Sequence, residues 1–169
     1  PPTIHWDKKN SPRTARLIEW CKVNQEARLK IFSDSVKDAK EEGRTRQQMT
    51  TQKNVYLQQL ATTIFQNDED PKVREYFRAH PLAFTKPIQS RFISLRKKYN
   101  EINVQLGQTG AGLSFEAISG NEKMKGILGM YLLVAFPWWV DLRGWWRTNP
   151  TYNTSFSTAD PGQDFAAEA

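Results

Sequence analysis

Residues 84–106, FTKPIQSRFISLRKKYNEINVQL, contain the pattern that decides the fold of this chain. Apolar side chains recur along them at steps of three or four residues: Ile88, Phe92, Leu95, Tyr99, Ile102 and Leu106. This spacing is typical of a long helix that buries a single apolar stripe. Thr85 is a suitable N-cap, and Pro87 falls in the first turn, where a missing N–H group costs nothing. The sequence therefore predicts a helix over about 86–106 with one face in a core.

The opposite face of this predicted helix is basic. Between Phe84 and Asn100 there are five basic residues and no acidic residue. The residues predicted nearest to base edges lie on this face or its flank: Lys86, Gln89, Ser90, Ile93, Arg96, Lys97 and Asn100. They suit a DNA major groove, because Arg can bond guanine, Asn or Gln can bond adenine, and an aliphatic group can contact the thymine methyl. An ordinary solvated helix face is the alternative interpretation.

Composition limits the classes of protein to which the chain can belong. Its 169 residues suffice for one domain with a real core, or for a domain with a tail. With 38% hydrophobic and 25% charged residues, it is globular in composition. The net charge of +6 favours an anionic partner, either nucleic acid or an acidic surface.

The single cysteine, Cys21, excludes an internal disulfide framework and a cysteine-rich zinc module. It lies at helical spacing from two aliphatic residues, which predicts a buried and inert thiol. We find no secretory signal, and the two N-terminal prolines suggest a piece of something longer. The longest apolar run, 127–140, is too short to span a bilayer and contains Pro137. We therefore expect an intracellular, reduced, soluble domain without a membrane partner.

Helix signals occur along the whole chain, and strand alternation is not found, so the predicted fold class is all-α. Ser11 and Pro12 start a helix that we expect to reach Val23. Residues 25–43 are helical in pattern but mostly charged, which favours an insertion over a core layer. Further helices are predicted from Thr50 or Thr51 to Gln66, from Pro71, over 121–136 and over 138–146, and a loose tail follows Phe156.

Three helices with a Trp ahead of the first and a basic outer face on the third resemble a Myb or SANT domain, a helix-turn-helix relative. The closer likeness is to trihelix-type domains of fungal and transposon-associated proteins, in which a third helix of the form R..L...Y..L leads into an (S/T)G.G turn. The residues that carry it are Arg91, Phe92, Leu95, Lys98, Tyr99, Leu106 and the run TGAGL at 109–113. FPWW at 136–139 and NPTYN at 149–153 also look like fungal versions of the following block. The likeness spans roughly Trp6 to Asn153.

The resemblance implies a helical core over 3–113, with 25–46 as an insertion, a helical C-terminal extension over 114–153 packed on it, and a flexible tail over 154–169. The helix 50–66 would lie across the DNA backbone while 86–106 enters the major groove. The phosphate contacts would be Lys8, Lys9, Arg13, Arg44, Arg46, Lys53, Arg91 and Lys98. The implied function is sequence-specific binding of double-stranded DNA in the nucleus, for transcription regulation or beside a transposon. The chain departs from a standard Myb repeat because aliphatic residues and Tyr99 replace the later regularly spaced Trp residues.

Enzyme classes find little support in the sequence. The only histidines, His5 and His80, lack the spacing of a metal pair. The glycine turn over 107–112 has no following Lys-Ser/Thr and no preceding strand, so it is not a phosphate-binding loop. We predict no catalytic residue, no metal ligand and no cofactor.

The tryptophan-rich end supports a second interpretation. Four of the six Trp residues lie close together: Trp138, Trp139, Trp145 and Trp146. They can close the core against the other helices, or they can form a surface for a homodimer or another protein, since Trp and Arg are typical interface anchors. SANT domains also bind proteins, so the alternative function is a chromatin or transposase adaptor.

Overall fold

The computed structural model describes residues 1–33, 46–106 and 135–149, together with Gly120, Gly126, Gly129 and Tyr152. The described residues form helices joined by turns and contain no strand, as the all-α prediction requires. The α-helices are α1 (Ser11–Val23), α2 (Gln25–Ile31), α3 (Arg46–Phe65), α4 (Pro71–Ala79), α5 (Thr85–Leu106) and α6 (Trp139–Trp146). Short 3-10 turns occupy Lys8–Asn10 and Pro81–Phe84. The predicted 107–112 turn, the 154–169 tail and most of the predicted 121–136 helix lie outside the described residues.

Two helix starts differ from the prediction. The helix α3 begins at Arg46 rather than at Thr50 or Thr51. The four residues before the threonines are Arg, Gln, Gln and Met, which are all good helix formers. The helix therefore starts ahead of the threonines, and neither threonine caps it. Thr85 is predicted to be the N-cap, but it has helical backbone angles and is itself the first residue of α5. The reason is that the preceding 3-10 turn runs directly into the helix.

The chain forms two compact units, residues 1–92 and 93–169, and the boundary falls within the continuous helix α5. In the first unit, α1 and α2 both pack on α3. Ala27 and Ile31 of α2 and the following Phe32 are buried. The first helix of the predicted insertion therefore contributes to the core of this unit, although the outer limits of the insertion stay a prediction.

Aromatic rings close the core of the first unit. Phe84 contacts Phe65 at a ring-centre distance of 4.7 Å and Phe77 at 5.3 Å. Phe32 meets Phe92 edge-on at 5.2 Å. The last of these contacts joins the end of α2 to the N-terminal half of α5, so the apolar stripe of α5 begins inside this core.

The second unit is built around the C-terminal half of α5 and α6. Trp139 and Trp146 are completely buried and contact Tyr99 of α5, with ring centres 6.3 and 5.6 Å away. The indole Nε1 of Trp139 donates a hydrogen bond of 3.1 Å to Oδ1 of Asn103. These contacts make the two tryptophans part of the core of this unit.

None of the helices in the described part of the chain is both long and apolar enough to cross a membrane.

Candidate nucleic-acid interface

The helix α5 separates a buried face from an exposed one. The predicted apolar stripe is confirmed over the positions whose side chains are described: Ile88, Phe92, Leu95, Tyr99 and Ile102 are at most 5% exposed. The opposite side exposes Lys86, Gln89, Ser90, Ile93 and Lys97. Because the two sets follow the 3.6-residue period of one helix, burial of the stripe presents the basic and amide side chains together.

Arg96 lies on the flank of this face and is half-buried. Its guanidinium carbon is 5.7 Å from the centre of the Tyr152 ring, a cation–π distance. Its side chain donates no hydrogen bond to any residue that the structure describes. Within that part of the protein, the N–H groups of Arg96 therefore donate to no acceptor, while the guanidinium lies over an aromatic ring.

Asn100 makes bonds that the sequence did not predict. Its Nδ2 donates to the carbonyl oxygen of Arg96 at 3.0 Å and to that of Tyr152 at 2.9 Å. A bidentate contact with adenine needs an Nδ2 hydrogen as donor. Both hydrogens are used here, so the structure gives Asn100 a role in holding Tyr152 rather than the predicted one in reading adenine.

A shallow open groove runs along the C-terminal part of the exposed face. Its lining residues are Ile93, Arg96, Lys97, Asn100, Glu101 and Val104. Glu101 is exposed and ends the run without acidic residues, and Val104 is 71% exposed. The part of α5 that suits an anionic partner therefore extends from Lys86 to Lys97. The face predicted from the sequence ends at Asn100 and includes neither Glu101 nor Val104.

Two of the predicted phosphate contacts are held by other groups: Arg13 is buried and Arg91 is half-buried. Arg13 is 3% exposed and forms a two-point ion pair with Asp68, so it is a core residue rather than an exposed cation. The side chain of Arg91 is 10% exposed. Its Nη2 donates to Oγ1 of Thr14 at 3.0 Å, and its guanidinium carbon lies 5.7 Å from the Trp6 ring centre. Burial lowers the pKa of Arg91, although the nearby Asp7 acts in the opposite direction.

Of the other predicted phosphate contacts, the structure describes the side chains of Lys9, Lys53 and Lys98. Lys9 is exposed and Lys98 is half-buried. Lys53 donates from Nζ to the carbonyl oxygen of Ser33 at 3.1 Å. Arg44 and the side chains of Lys8 and Arg46 lie outside the described residues.

The four clustered tryptophans do not form one surface. Trp139 and Trp146 are completely buried, which fits the first of the two interpretations, closure of the core, and not an interface at these two residues. The spacing of seven residues places both on one side of α6, and that side packs on Tyr99. Trp138 and Trp145 are half-buried, and Val140 of the same helix is 45% exposed.

The prediction of a buried thiol is confirmed. Cys21 has no exposed surface, and burial raises its pKa to about 12, so it is protonated near neutral pH. Both His5 and His80 are exposed. The described part of the chain contains no group of three or more His, Cys, Asp or Glu side chains that could hold a metal ion.

No protein-family model, curated protein or solved structure matches this sequence. The chemistry of the site is that of the exposed side chains of α5. That helix presents two lysines, one glutamine, one serine and one isoleucine on a single exposed face, with an arginine on its flank. Such a face can neutralise phosphates, donate hydrogen bonds to base edges and contact a methyl group.

Proposed function

We propose that this protein is a Myb/SANT-like helical module that binds double-stranded DNA in a sequence-specific manner. The observation that carries the proposal is the exposed face of α5, where Lys86 and Lys97 flank Gln89, Ser90 and Ile93. The major groove of B-form DNA admits an α-helix, and each of these side chains has a partner there. The net charge of +6 supports the same class of partner.

Each residue has a distinct role in this proposal. Arg96 bonds a guanine, Gln89 bonds an adenine, and Ile93 contacts a thymine methyl group. Lys86, Ser90 and Lys97 bond base edges or nearby phosphates. Lys9, Lys53 and Lys98 are candidates for phosphate contacts, whereas the buried Arg13 and the half-buried Arg91, which is held by Thr14 and Trp6, are not.

The biological role that we propose is regulation of transcription, or DNA recognition beside a transposon, in the nucleus. Binding alone performs this role, without a catalytic step. The support is the helix order and the spacing of Arg91, Leu95, Tyr99 and Ile102 (R...L...Y..I), which is similar to the R..L...Y..L form of trihelix-type Myb/SANT-like domains.

A matched pair of double variants tests the proposal. Lys86→Ala/Lys97→Ala removes two exposed charges from α5, and Lys22→Ala/Lys72→Ala removes two exposed charges from α1 and α4. Affinity for a duplex should be measured by fluorescence polarisation over a range of salt concentrations. The α5 variant should bind at least tenfold more weakly, with a salt slope lower by up to about two, and the control should resemble the parent. Equal loss in both variants would assign the binding to net charge alone.

The groove on α5 favours a second candidate function, a protein-interaction module. Ile93 is 60% exposed and Val104 is 71% exposed, and Glu101 lies in the same groove. Exposed aliphatic groups beside mixed charges are typical of a surface for another protein. Val104→Ser separates the two functions, because it should weaken a protein complex and leave DNA affinity unchanged.

A further inference from the structure

A series of contacts between aromatic side chains joins the core of the second unit to Arg96. Trp146 is completely buried and meets Tyr99 edge-on, with ring centres 5.6 Å apart and planes at 79°. Trp146 also contacts Tyr152, whose ring is stacked on it at 4.8 Å and 24°. The Arg96 guanidinium lies over that same Tyr152 ring. The four side chains therefore form a continuous series of contacts with one end in the core.

The backbone of Tyr152 is also fixed. Its carbonyl oxygen accepts the 2.9 Å hydrogen bond from Asn100, and its amide donates to the carbonyl oxygen of Asn149 at 3.0 Å. Asn100 lies one helical turn after Arg96. Tyr152 therefore contacts two successive turns of α5, with its carbonyl bonded to Asn100 and its ring against the side chain of Arg96. Burial raises the pKa of the Tyr152 phenol, which agrees with a ring held against the protein.

This arrangement restricts a side chain that is otherwise flexible. A free arginine samples many rotamers and loses that freedom when it binds a base. A cation–π contact uses the face of the planar guanidinium and leaves the N–H groups at its edge for in-plane bonds. A guanine offers two acceptors, O6 and N7, in one plane.

We propose that Tyr152, supported by Trp146, is a positioning residue that sets specificity at the base read by Arg96. The inference rests on the proposed DNA-binding function and deepens it. It makes Asn100 the residue that holds the backbone of Tyr152 in place. The selected motif thus depends on a residue that lies outside α5 and contacts no base.

Two substitutions of Tyr152 test the inference by selection from a random duplex library. Tyr152→Phe keeps the ring and should select the parent motif. Tyr152→Leu keeps apolar bulk but loses the ring, and its preference for guanine at one position should fall roughly fivefold, the ratio that corresponds to about 1 kcal/mol of cation–π contact. The preferences at the other positions and the salt slope should not change.

A double-variant comparison separates positioning from a general structural role. In an Arg96→Ala background, Tyr152→Leu should cause no further loss at the guanine position, whereas a structural role would weaken binding at every position in both backgrounds. Should Tyr152→Leu fail to fold, NMR of the parent provides the test, because the Tyr152 ring current must shift the Arg96 Hδ resonances upfield. Unshifted resonances, or a leucine variant that selects the parent motif, would overturn the inference alone. A parent that selects no motif would overturn both this inference and the proposed function.

Discussion

Arg13 and Asp68 form a two-point ion pair in the core of the first unit, with Nε–Oδ1 and Nη2–Oδ2 distances of 2.8 and 2.7 Å. Asp68 is completely buried and also accepts hydrogen bonds of 3.0 Å from Nη2 of Arg16 and from the amide of Asp70. The pair fastens α1 to the turn between α3 and α4. It shows that a basic residue in this chain is not necessarily a surface cation.

Asp68→Asn should destabilise the protein by about 3 kcal/mol, because it leaves the Arg13 charge buried without its counter-ion. Urea unfolding followed by circular dichroism measures this loss. Asp70→Asn is the matched control: Asp70 is exposed and caps α4 through a 2.9 Å bond from the Lys72 amide, and asparagine caps equally well. Equal stability of the two variants would contradict the assignment of Asp68 to the core.

The same ion pair should make stability depend on pH in the acid range. Burial by itself raises the pKa of Asp68, but the hydrogen bonds from Arg13 and the Asp70 amide and the neighbouring guanidinium charges lower the pKa below its ordinary value. A carboxyl with a depressed pKa in the folded state stabilises the fold above its unfolded pKa of about 4, and this stabilisation is lost as pH falls through the folded pKa. The free energy of unfolding should therefore decrease below about pH 4 in the parent and change less in Asp68→Asn. Parallel pH profiles would contradict the prediction.

Arg91→Lys should lower stability by about 1 kcal/mol without changing the salt dependence of DNA binding. Lysine keeps the positive charge but cannot reproduce both the bond to Thr14 and the planar contact over Trp6. Thermal unfolding and a salt titration of binding measure the two effects. Arg78→Lys, at an exposed arginine of α4, should change neither. Arg91→Gln removes the charge as well, and a salt slope reduced in that variant would return Arg91 to the phosphate contacts.

Trp146→Ala should destabilise the protein by about 3 to 5 kcal/mol, because it removes a completely buried aromatic side chain. Trp145→Ala removes a half-buried side chain of the same helix and should cost about 1 kcal/mol. Chemical unfolding of the two variants compares a core position with its surface neighbour. A Trp146 variant as stable as the Trp145 variant would contradict the core assignment and favour an interface.

Periodicity predicted the parts of the fold that depend on neighbouring residues. The stripe of α5 from Ile88 to Ile102 follows from its spacing alone, and so does the exposure of Ile93 and Lys97 opposite to it. The start of α4 at Pro71 follows from local cap chemistry, since Asp70 supplies the side-chain oxygen.

Contacts between distant residues were not predictable in this way. From the sequence, Arg13 and Arg91 are predicted to be surface cations, because their partners Asp68 and Trp6 lie far away along the chain. Asn103 lies within the apolar stripe, and its partner, the indole of Trp139, belongs to another helix. The hydrogen bond from Asn100 to Tyr152 also joins remote segments, so the sequence indicated the exposed face of α5 but not which of its side chains are already engaged.

The most direct test of the central claim is selection from a random duplex library at two salt concentrations, with the parent and Arg96→Ala/Lys97→Ala side by side. If α5 recognises DNA, the parent selects one motif with a steep salt slope, and the double variant loses preference at adjacent positions and binds with a lower slope. Weak binding without a preferred motif, unchanged in the double variant, would contradict DNA recognition by α5.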